Sequence, residues 1–66
     1  MTINEALISA KAGLREARIE SWGLDCDLLM CHVLNIPREK LILIGNDYIS
    51  NNELTRFTEY VSRRLR

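Results

Sequence analysis

The sequence predicts an all-α fold, a small four-helix bundle with helices over about residues 3–18, 22–34, 37–44 and 51–65 and the second helix at its centre. Three observations predict it. The chain has only three glycines and one proline among 66 residues, too few turn-formers for a series of short strands. Its apolar residues recur at helical spacing. Two capping boxes, Thr2 with Glu5 and Ser50 with Glu53, mark the starts of the first and last helices.

The first helix begins at the Thr2 box. Ile3, Ala6, Leu7, Ala10, Leu14 and Ala17 fall within an arc of about 100° when wound at 3.6 residues per turn, and polar residues take the rest. Only Ile8 is misplaced, as a single exposed apolar side chain. Ser21 can cap the second helix, with Asp25 and Asp27 near the positive end of its dipole. This helix is apolar almost all round: Leu24, Cys26, Leu28, Leu29, Met30, Cys31, Val33 and Leu34 leave a narrow polar sector holding Asp25 and His32. Such a segment belongs in the middle of a bundle. Asn35 tolerates the left-handed conformation that ends a helix, and Pro37 cannot extend it.

Pro37 suits the first position of a short third helix that runs into Leu41-Ile42-Leu43-Ile44 and stops at Gly45. The same apolar run could form a strand, but its only partner would be a very short stretch near Tyr48-Ile49. Asn46 and Asp47 form a turn. The fourth helix, from the Ser50 box, presents Leu54, Phe57, Val61 and Leu65 on one face. Glu59 and Arg63 have the spacing of an i,i+4 ion pair, and Arg63, Arg64 and Arg66 sit at the negative end of the helix dipole.

Size and charge restrict the function classes. A chain of 66 residues makes one domain whose folding buries roughly 60% of its unfolded surface, so the core is thin. Nine Lys+Arg balance nine Asp+Glu, which removes the long-range field that steers a protein to DNA or an acidic membrane. No apolar run reaches the ~18 residues of a membrane span, and Met1 to Ala10 lacks the basic start and apolar run of a secretory signal. A cytoplasmic location is expected.

Few residues invite chemistry. Cys26 and Cys31, five apart on one helix, diverge by about 140° and cannot bridge locally, so both are expected to be reduced, buried thiols. With His32 they lie on one helix pointing different ways, unlike the converging ligand pairs of a zinc site, and no metal is expected. Asp25 and His32 share one side of the second helix and are expected to bond to backbone or loop groups. Trp22 is expected to be a lid over the core. Helices two and three superficially suggest a helix-turn-helix. Residues 46–66, however, carry four arginines against Asp47, Glu53 and Glu59, a net of +1, and helix three offers only Arg38 and Lys40, so direct nucleic-acid binding is not expected. The glycines are isolated and build no phosphate loop.

The run Ile19-Glu20-Ser21-Trp22-Gly23-Leu24-Asp25-Cys26-Asp27-Leu28-Leu29-Met30-Cys31-His32-Val33-Leu34 resembles the N-terminal domain of the release factor glutamine methyltransferases, the HemK/PrmC family. Asp25, Leu28, Leu29, His32, Val33 and Leu34 fit its pattern in register. Pro37-Arg38 with Leu41 resembles the family's next short helix. Ser50, Glu53, Leu54, Phe57, Val61, Arg63 and Arg64 resemble its last bundle helix. Trp22-Gly23 stands where the family has Pro-Arg, and Cys26 and Asn35 where it has Ala and Gly.

The resemblance implies a division of labour. A Rossmann-like domain beyond these residues would bind S-adenosylmethionine at a glycine-rich turn. It would hold the target glutamine of a release factor's Gly-Gly-Gln loop at an Asn-Pro-Pro-Tyr motif. The bundle would bind and orient the release factor, packed with its own catalytic domain, and perform no chemistry itself. No catalytic, cofactor-binding or metal-binding residue carries over to this chain. Exposed polar positions on helices one and four are the expected docking surface. The alternative is a free-standing helical module that binds protein or nucleic acid.

Overall fold

Helix formation starts where the capping boxes place it. The computed structural model describes residues 1–66 and contains α1 (Ile3–Glu16), α2 (Trp22–Leu34), α3 (Arg38–Leu43) and α4 (Asn51–Arg64). No strand is present, only an isolated antiparallel bridge between Thr2 and Tyr48. The chain is therefore the small all-α bundle expected. Its radius of gyration of 10.8 Å equals the value of about 10.8 Å that size scaling gives for this length.

The first turn of α1 accounts for all its free donors. The Glu5 N–H reaches Thr2 Oγ1 at 3.1 Å, and the Thr2 N–H reaches Glu5 Oε1 at 2.8 Å. The loop after α3 supplies the rest: the Ile3 N–H donates to the Asp47 carbonyl and the Asn4 N–H to the Gly45 carbonyl, each at 2.9 Å. The Ile49 N–H donates back to the Met1 carbonyl at 3.1 Å. Buried donors at a helix start need such partners, and here the α3–α4 loop doubles as a cap. Gly45 is buried in this contact, and a Cβ there would run into the Asn4 carboxamide.

Several boundaries differ from expectation. α1 ends at Glu16 rather than 18, because Arg18 turns left-handed at φ 62°. The Ile19 N–H then reaches the Leu14 carbonyl and the Arg18 N–H the Arg15 carbonyl, the bond pair of a Schellman motif. Ile19 packs against the core that contains Leu14, the hydrophobic contact that accompanies the motif. Ser21 flanks α2 but caps no N–H; its hydroxyl donates to Asp25 Oδ2 at 2.9 Å instead. Asn35 ends α2 at φ 56°, as expected, with the same pair of backbone bonds to Cys31 and His32. Pro37 is the residue before α3 rather than its first member, since its ψ of 161° is extended. α3 stops one residue short of Ile44, and α4 one short of Leu65. The apolar run at 41–44 is thus helix and turn, not strand.

The core gathers Ile3, Ala6, Leu7 and Leu14 from α1, Cys26, Met30, Cys31 and Val33 from α2, Leu41 from α3, Ile49 from the loop, and Phe57 and Val61 from α4. α2 packs against each of the other three helices, and α3 is held by α2. The second helix is therefore central, but it is not enclosed on every side. Leu24 and Leu28, one turn apart, are 46% and 49% exposed. Three neighbours cannot cover a full circumference, and this sector is the one left open.

Candidate functional site

The polar residues of α2 organise the molecule's electrostatics. Asp25 accepts at one oxygen from both the Ser21 hydroxyl and Arg64 Nε, the latter at 2.8 Å from the last turn of α4. The Ser21 hydroxyl, with Arg64 beside it, holds the Asp25 carboxyl below the usual carboxylate range. Asp27 sits 3.1 Å from Lys11 Nζ of α1 and 3.6 Å from the Arg38 guanidinium of α3. The two aspartates of the central helix thus reach each surrounding helix. Each pair is partly exposed, so its contribution to stability is small and its main effect is on which helix faces meet.

Asp25 and His32 do share one flank of α2; Asp25 bonds to the loop hydroxyl of Ser21 as expected, whereas His32 makes no hydrogen bond to a backbone or loop group. His32 is exposed, and its ring meets Tyr60 of α4 edge to face, centroids 5.3 Å apart at 76°. The Arg63 guanidinium lies over the Tyr60 ring, 5.6 Å from its centroid. That placement replaces the expected Glu59–Arg63 ion pair, which does not form; cation–π contact with Tyr60 gives Arg63 an alternative partner one turn back. Trp22 is half-buried against the core with the Arg15 guanidinium 5.9 Å from its ring, as a lid would be.

Cys26 and Cys31 are free and buried, and burial pushes both thiols up from their ordinary value. Their thiolates, the reactive form, are disfavoured. No group of three or more His, Cys, Asp or Glu side chains comes together to hold a metal ion. No helix is long and apolar enough to cross a membrane.

The surface has two apolar features that sequence reasoning missed. On α3, Ile42 and Leu43 are 84% and 83% exposed, and Tyr48 of the following loop is 81% exposed. Between α1 and α4 runs a groove of about 410 Å³. Its α1 wall is made of the small residues Ala6, Ala10 and Gly13, and its other wall of Leu54 and Phe57 from α4 with Leu65 just beyond it, with no charged side chain in the lining. The expected docking surface of exposed polar positions on these two helices is thus interrupted by an uncharged channel rimmed by Ser9, Thr58 and Ser62. Ala10 and Gly13 do carry a signal for this, since small residues leave a shallow helix face.

Residues 5–66 match the family described as the PrmC N-terminal domain. Over 64 residues, 97% of this chain, the sequence is 33% identical to a protein of Rickettsia prowazekii (strain Madrid E) named bifunctional methyltransferase. The chain spans 12% of that relative's length. No solved structure matches it. The four helices packed about α2 and the match across residues 5–66 lead to one assignment: the chain belongs to the PrmC N-terminal domain family, a methyltransferase-associated domain.

Proposed function

We propose that this chain is the substrate-positioning domain of an S-adenosylmethionine-dependent protein-(glutamine-N5) methyltransferase that acts in the cytoplasm on the Gly-Gly-Gln loop of peptide-chain release factors. The observation that carries the reading is the family match across residues 5–66, supported by the methyltransferase name of the Rickettsia relative. In this reading the bundle binds the release factor and presents its loop to a catalytic domain elsewhere in the protein. Binding energy from surfaces remote from the reacting atoms raises the rate by fixing the substrate's position, without contributing a reacting group.

The fold suits that role. The starts of α1 and α4 are fixed by capping boxes, and the loop that follows α3 is tied to the start of α1 through the Gly45 and Asp47 carbonyls. The exposed apolar side chains of α3 therefore sit on a rigid support, the kind of surface that a protein partner can cover. In this reading S-adenosylmethionine is held outside the bundle. The α1–α4 groove offers three hydroxyls over an apolar floor, with neither a carboxylate for a ribose diol nor a glycine-rich turn.

Isothermal titration of the chain with a purified release factor, with S-adenosylmethionine and a DNA duplex as comparison ligands, tests the proposal. Saturable binding to the release factor and to neither comparison ligand is expected. Binding to the duplex alone, with a steep salt dependence, would replace it with the nucleic-acid module. Binding of the methyl donor would overturn the division of labour.

A further inference from the structure

We draw no further inference here: the strongest candidate, the uncharged groove between α1 and α4 walled by Ala6, Ala10, Gly13, Leu54, Phe57 and Leu65, is an unpartnered apolar face, and nothing in the structure shows what covers it.

Discussion

Arg64 Nε donates to Asp25 Oδ2 at 2.8 Å, joining the first turn of α2 to the last turn of α4 across 39 residues of chain. The same carboxylate oxygen accepts from the Ser21 hydroxyl, so one side chain closes the start of the central helix and holds the end of the chain. The folded protein keeps the Asp25 carboxyl below its ordinary value, and Glu5, which accepts from the Thr2 N–H, is lowered as well. A depressed folded-state pKa contributes stability that is present above the unfolded value of about 4 and is lost as pH falls through the folded value. The urea midpoint should therefore drop below about pH 4, and Asp25→Asn should flatten that drop while lowering the midpoint at neutral pH. Parallel wild-type and variant curves between pH 2 and 7 would separate Asp25 from acid sensitivity.

Gly45 is crowded by its neighbour rather than constrained by its backbone angles. A Cβ there meets the Asn4 carboxamide inside the contact that caps α1. The obstacle is the terminal carboxamide of an exposed side chain that can rotate aside, so Gly45→Ala should cost no more than about 1 kcal/mol. Trimming the obstacle in the Asn4→Ala/Gly45→Ala double variant should recover part of the loss. The measurement is a double-mutant cycle in urea, and strictly additive effects would remove the steric explanation.

Arg18 occupies the left-handed position of a Schellman turn that glycine ordinarily fills. The strain for a residue with a Cβ is about 1–2 kcal/mol, partly offset by the greater freedom of glycine in the unfolded chain. Arg18→Gly should raise stability by about 0.5–1 kcal/mol. A lower thermal midpoint for the variant would show that the arginine side chain supplies more than its backbone costs.

Arg18 also marks where sequence reasoning stopped. Thr2–Glu5, Ser50–Glu53 and Asn35 carry their structural instruction in adjacent residues, and each behaves as its pattern says. Arg18 has no glycine or asparagine to announce the turn; it goes with the Ile19 N–H bond to the Leu14 carbonyl and with Ile19 packing against the core. Periodicity likewise located α2 at the centre, but an all-round apolar helix does not say which sector its neighbours leave open, and Leu24 and Leu28 are that sector. The Asp25–Arg64 pair is invisible for a third reason, since residues 39 apart have no local pattern to share. The exposure of Ile42 and Leu43 was hidden because their run reads as core.

Both cysteines should be silent until the bundle opens. Cys26 is fully buried, Cys31 nearly so, and burial raises both thiols. A disulfide-exchange reagent at pH 7.5 should label neither at an appreciable rate in the native protein and two per chain in denaturing urea. Rapid native labelling of Cys26 would mean that α2 opens readily.

Leu14 has no exposed surface and lies in the core that α1 and α2 share. Leu14→Ala should cost about 2–5 kcal/mol, a large part of the stability a domain of this size has. Leu29, only partly buried against the same core, should cost less on the same substitution. Urea midpoints rank the two, and a larger loss at Leu29 would contradict the packing described for α2.

The role proposed for the bundle is tested most directly by competition. Methyl transfer by the full-length parent enzyme would be followed on an intact release factor and on a short Gly-Gly-Gln peptide, with the isolated 66-residue chain added in excess. The chain should raise KM for the intact factor by occupying the surface that the enzyme's own bundle uses, and should leave the peptide reaction unchanged. Equal inhibition of both substrates, or of neither, would contradict a domain that works by holding the release factor.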